Sequence, residues 1–294
     1  MRTHIVFLIG LALAAGACAK KSDQRAFTLQ GQVLAVQPER RSIELKHEEV
    51  KGFMPAMTMP YEVRDARLLN GLAPGDLVNA QLVVESNTAY LSSIKKVGTA
   101  PLEKAPAVAD EAPMASAGFE LLKPGEPAPG GRFVDQDGRA RDFASFKGKP
   151  TVVTFIYTKC PMPTFCPLLD RNFAAVQKKL QADPSLARLK GHVQLVSVSF
   201  DPLTDTPAVL KKHAETLGAD HRVWTFLTGD RDDIDRFASR FGVQVARAEN
   251  DPRDITHNLR TALLDADGKL VKVYTGNEWT PDQLLADLQN LQKT

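Results

Sequence analysis

A chain of 294 residues holds one large domain or two ordinary ones. Its formal net charge of +2 leaves no basic surface for nucleic acid, and its hydrophobic content of 43% is that of a globular protein. No internal repeat is visible.

The chain opens on a targeting signal. Arg2 is followed by an apolar run from Ile5 to Ala15, then Ala15-Gly16-Ala17 and Cys18. The run is too short to span a bilayer, and the small residues mark a cleavage site, so residues 1–17 are expected to be a signal peptide. A small residue followed by Cys resembles a bacterial lipoprotein box, with Ala15 where leucine is usual. That resemblance implies lipid on Cys18, residues 18–26 as a polar tether, and a place on the cell envelope facing the periplasm. Without lipid the protein would be soluble in the periplasm.

Residues 27–97 read as a compact strand-rich domain. Phe27 to Gln37, Ser42 to His47, Met57 to Val63, Leu77 to Glu85 and Ala89 to Ile94 carry alternating or β-branched residues, and Pro74-Gly75 marks a turn. Five short strands predict a small closed all-β, OB-like barrel. Three of the chain's six methionines, Met54, Met57 and Met59, fall in one short window downstream of His47. Met57 and Met59 are two apart, so on a strand they share a face. One methionine there would be core filling. Three soft thioethers beside an imidazole suit Cu(I).

This stretch resembles the periplasmic Cu(I)/Ag(I)-binding protein of the Cus efflux system, which carries a His and then a Trp-Pro-x-Met-Thr-Met run on a five-stranded barrel. The resemblance implies His47, Met57 and Met59 as ligands. Two departures are visible. The His-to-Met spacing is shorter by one, and Met54 replaces the tryptophan that caps the metal in that family. Met54 is therefore a candidate further ligand.

Residues 98–118 are rich in Ala and Pro and poor in bulky side chains, so an extended linker is expected. It would span roughly 60 Å if polyproline-like. Residues 119–294 then alternate strand and helix. Asp135 to Gly138 reads as a hairpin turn, Thr151 to Tyr157 as a buried strand, and a helix runs to about Ala182. His192 to Phe200 is a strand, Thr206-Pro207 opens a helix, and Trp224 to Thr228 is a short strand. A helix with Ile234, Phe237, Ala238 and Phe241 stops at Gly242. Leu259 to Asp265 and Lys269 to Tyr274 form a hairpin through Asp267-Gly268, and Thr280-Pro281 starts the last helix. This order predicts a mixed sheet covered by helices.

Cys160 and Cys166 sit where the Thr151 strand turns into a helix, with Met162 between them as a third sulfur. A position near a helix N-terminus is expected to lower both thiol pKa values. Six steps along a straight helix would part their Cα atoms by roughly 9 Å, beyond disulfide range. Closure on one metal or one bond thus puts the pair on a loop ahead of the helix, as Pro161, Pro163 and Pro167 favour. Such a short loop constrains the unfolded chain little, so the pair reads as functional.

The strand order, with thiols after an early central strand, looks like a thioredoxin fold and resembles the Sco/SenC family of copper chaperones. The matching features are Cys-Pro…Cys-Pro, Ser199-Phe-Asp201-Pro-x-x-Asp205-Thr-Pro207, and His257 ahead of the hairpin strands. That resemblance implies a thioredoxin-like Sco/SenC domain over 119–294, with copper bound by Cys160, Cys166 and His257. It also implies delivery to the binuclear copper centre of cytochrome oxidase, or reduction of that centre's thiols. The loop departs from the family in holding five residues between the thiols instead of three. Asp201 supports the site or merely ends a strand. Lys159 lowers the Cys160 pKa or, as favoured here, is solvated, and His192, His213 and His221 are expected to be surface or core residues. The alternative is a thiol–disulfide oxidoreductase acting on envelope proteins. Thiol–disulfide enzymes of this fold use two intervening residues, which counts against it.

Overall fold

The computed structural model describes residues 24–54, 56–102, 120–247 and 255–291. The signal segment, Cys18, and most of the expected linker lie outside the described residues. Among those described, no helix is long and apolar enough to cross a membrane.

The N-terminal unit is one five-stranded antiparallel sheet. Its strands are β1 (Arg25–Gln37), β2 (Ser42–His47), β3 (Met57–Glu62), β4 (Asp76–Val84) and β5 (Ala89–Thr99), in the order β3-β2-β1-β4-β5. The long β1 pairs along its first half with β4 and along its second half with β2, and a bulge between Val33 and Ala35 bends it. This curls the sheet until its edges meet. The OB-like sheet is not closed as expected: among the described residues its edges are joined by an isolated parallel bridge, Val63 to Leu91, and not by a ladder. Leu29, Val33, Ile43, Leu45, Leu82 and Leu91 fill the interior. β5 runs to Thr99, past the start of the expected linker.

The second unit is a seven-stranded sheet. Its strands are β6 (Arg132–Asp135), β7 (Ala140–Asp142), β8 (Thr151–Ile156), β9 (Gln194–Ser199), β10 (Trp224–Thr228), β13 (Arg260–Leu264) and β14 (Leu270–Thr275), in the order β14-β13-β8-β9-β10-β6-β7. β8, β9 and β10 are parallel, and every residue in them is buried. With both faces covered, these strands are mostly apolar and carry no charged residue. The helices are α1 (Cys166–Ala182), α2 (Pro207–Leu217), α3 (Arg231–Arg240) and α4 (Pro281–Leu291). Thr206 caps α2 through the Val209 N–H, and Asp230 caps α3 through two N–H groups. Phe173 of α1 packs on Trp224, and Phe237 of α3 packs on Phe133, Phe143 and Phe155.

One element escaped the sequence reading. β11 (Val245–Arg247) and β12 (Ile255–His257) form a separate two-stranded ribbon, with Val245 opposite His257. Three-residue strands carry too few positions for periodicity to register.

Candidate metal centres

In the barrel, His47 is the last residue of β2 and stands directly opposite Met57 on β3. Opposed residues share a face, so His47, Met57 and Met59 form one side of the strand pair. His47 is 3% exposed, Met59 and Met54 are 4% exposed, and Met57 is half-buried. Met54 reaches the same core through an antiparallel bridge to Val50. Gly31 lies across β1 from His47, and a Cβ there would stand 2.7 Å from the Lys46 carbonyl oxygen. A side chain at 31 would therefore push His47 out of place.

The His47 ring is oriented by its backbone. Nδ1 lies 2.6 Å from the Glu48 carbonyl oxygen, which can only accept, so Nδ1 carries the proton. Nε2 is then a bare lone pair, buried and without a partner among the described residues. Burial also holds the ring's pKa below its ordinary value, keeping it neutral. An orphaned acceptor in an apolar, thioether-lined core fits a soft cation.

The thiol site is assembled from three elements. β8 delivers the loop, α1 carries Cys166, and the β11–β12 ribbon presents His257. Contrary to the sequence expectation, only Cys160 lies on the loop. Cys166 is the first residue of α1, followed by Pro167 in the first turn, where a missing N–H costs nothing. The loop folds back instead, so the pair approaches without both thiols leaving the helix. Asn277 Nδ2 donates to the Thr164 carbonyl at 2.6 Å and steadies this return.

Cys166 Sγ lies 3.7 Å from His257 Nε2. His257 Nδ1 lies 2.8 Å from the Asn258 carbonyl, so here too the backbone takes the proton-bearing nitrogen and leaves Nε2 as the acceptor facing the Cys166 thiol. The ring is walled by Phe200 at 4.4 Å and Tyr157 at 5.7 Å between centroids. Loss of solvent pulls its pKa down to about 4.

Both cysteines are free. The expectation that a helix dipole lowers both thiols fails for Cys166. Its burial, reinforced by Cys160, pushes its pKa well up. Cys160, half-buried, is lowered by hydrogen bonding from the Cys166 thiol and by nearby backbone. Desolvation outweighs a partial charge at the helix end. Among the described residues, no three His, Cys, Asp or Glu side chains form a ready-made cage. The donors are adjacent but not preassembled.

Asp201 is buried and accepts from the Thr204 N–H at 3.3 Å, a local turn contact. The supporting carboxylate is Asp205, which sequence reading quoted but did not single out. Fully buried, it accepts from the Thr158 N–H at 3.0 Å, from the Thr158 hydroxyl and from the Ser199 hydroxyl at 2.5 Å. It ties the end of β9 to the residue two before Cys160. Lys159, His192 and His221 are exposed. His213 has a more specific place, pairing at 2.9 Å with the buried Asp170, one turn after Cys166.

A parallel-centred sheet with a dithiol at the start of its first long helix defines a thioredoxin-like protein. Two sulfurs and an imidazole nitrogen gathered there are donors of the kind that suit a soft metal. The chain belongs to the SCO1/SenC family, whose sequence profile matches residues 128–293. Residues 26–96 match a second family, described as copper binding periplasmic protein CusF. The chain is 32% identical to the SCO1 protein homolog of Bacillus subtilis (strain 168), covering 54% of this chain and 79% of that one. It is 28% identical to a putative copper-binding protein of Stutzerimonas stutzeri, over 51% of this chain and 70% of the other. A SCO1/SenC family lipoprotein from Bacillus anthracis str. Ames superposes with a TM-score of 0.50 at 31% identity, covering 59% of this chain and 99% of that structure.

Proposed function

We propose that this protein is a copper metallochaperone of the bacterial envelope. It binds Cu(I) at His47, Met57 and Met59, with Met54 beside them, and at Cys160, Cys166 and His257. It delivers the metal to a cytochrome oxidase copper centre. The carrying observation is shared by both sites: each histidine has Nδ1 committed to a backbone carbonyl, which leaves Nε2 as an acceptor, orphaned and buried in His47 and 3.7 Å from the Cys166 thiol in His257. Two families with copper or Sco descriptions meet in one chain, which supports copper as the cargo. Loading the second site requires reduced thiols, so metal binding and disulfide formation exclude each other. Anchorage through lipid on Cys18 would keep the protein at the periplasmic face of a membrane.

The test is copper per chain in the reduced protein, with X-ray absorption to count sulfur neighbours. Cys160→Ser/Cys166→Ser and Met57→Ile/Met59→Ile are each expected to lose one site and keep the other. Full capacity in both variants ends the proposal.

One observation favours a second reading, thiol–disulfide exchange. The pair is asymmetric, with a half-buried, acidified Cys160 beside a buried Cys166. That is the arrangement of an attacking and a resolving thiol. A thiol-exchange assay on metal-free protein separates the two.

A further inference from the structure

Four of the six methionines share one hydrophobic core, and one of them is not from the barrel. Met162, in the thiol loop, is 4% exposed and belongs to the barrel's hydrophobic cluster, with Met54, Met59 and the half-buried Met57. It is absent from the core of its own unit. Its neighbours Cys160 and Phe165 pack against both cores. The loop is latched at this position. Arg171 on α1 donates to the Pro163 carbonyl at 2.9 Å and to the Asn87 carbonyl, in the turn between β4 and β5, at 3.4 Å. Pro161 and Pro163 bracket Met162 and restrict the backbone on both sides. The Met162 carbonyl also lies 3.9 Å from Cys160 Sγ. One residue thus puts its backbone at the thiol and its side chain in the buried cluster that holds the barrel's methionines.

We infer that Met162 is a ligand shared by the two copper sites, through which Cu(I) passes from the barrel to the dithiol within one docked chain. The inference rests on the copper reading above and adds a route to it. Copper stays cuprous throughout. Bonds to His47 Nε2 and to the Met57 and Met59 sulfurs break as one to Met162 forms, then the Met162 bond is replaced by bonds to Cys160, Cys166 and His257, and the thiol protons leave to solvent. The direction is set by charge: neutral thioethers give up a cation to anionic thiolates, which hold it more strongly. Docking makes the exchange intramolecular, so no free copper is released.

Met162→Leu conserves volume and removes only the sulfur. It is placed in two full-length backgrounds. The first is Cys160→Ser/Cys166→Ser, leaving the barrel site; the second is Met57→Ile/Met59→Ile, leaving the thiol site. Cu(I) affinity is measured in both by competition with a chromophoric chelator, anaerobically and fully reduced. Loss of Met162 is expected to weaken both sites, each by about tenfold, the scale for a removed supporting residue. Met162→Ile, a second volume-conserving change, should do the same, and thermal melts should not move. Weakening at one site only makes Met162 a static ligand and overturns the inference. Weakening at neither makes it core filling, with the same result. If the unmodified chain takes no copper, the copper reading itself fails and this inference falls with it, a result distinct from the other two.

Discussion

At the scale of single residues, the site's chemistry is set by where protons sit. Cys160 is acidified and half-buried, Cys166 is buried with its pKa raised. Iodoacetamide at neutral pH should therefore label Cys160 first in the reduced, metal-free protein, which peptide mass spectrometry reads directly. Equal labelling would contradict the asymmetry. His257 offers a second check. Folding lowers its pKa from 6.5 to about 4, so in that window the unfolded chain binds a proton that the folded one does not. Its share of stability is complete above pH 6.5 and is lost as pH falls towards 4, on the order of 3 kcal/mol in all. The wild type minus His257→Gln difference in urea-unfolding free energy should show this slope, and a flat difference would refute it.

At the scale of elements, the loop is held from behind by one carboxylate. Asp205 accepts from three donors on two chain segments, all of them buried or nearly so. Asp205→Ala leaves those donors unsatisfied and should cost about 2–4 kcal/mol of stability by urea titration. Copper affinity at the thiol site should fall by about tenfold, because Thr158 no longer fixes the start of the loop. The β11–β12 ribbon plays the matching role on the other side. Arg247 ties it down by donating to Asp235 at 2.6 Å and to the Phe200 carbonyl at 2.6 Å, and so holds His257 over Cys166.

For the whole molecule, the two units meet at the thiol loop. The exposed Arg40–Glu278 pair, at 3.2 Å, bridges them at the surface, where such pairs contribute little. The apolar seat of Met162 is the contact that matters. Met162→Lys puts an unpaired charge into the barrel core, which is costly enough to separate the units. Small-angle scattering should show a larger radius of gyration for this variant, and Arg40→Glu should leave it unchanged. The opposite ranking would place the interface elsewhere.

Residue pattern alone determined the elements whose chemistry is local. The buried runs of β8, β9 and β10 announce strands, Thr206-Pro207 announces a helix start, and Met57 with Met59 announces a face. Soft donors could be recognised by type, because softness belongs to an atom and not to a fold. What only the tertiary structure decided was partnership. That Asp205 and not Asp201 braces the loop depends on a strand end distant in sequence. That the two thiols part in pKa depends on burial, which a dipole argument cannot supply. Met162 reads as a spare sulfur in the chain, and becomes a residue of the barrel core only because folding brings the thiol loop against a sheet more than sixty positions away.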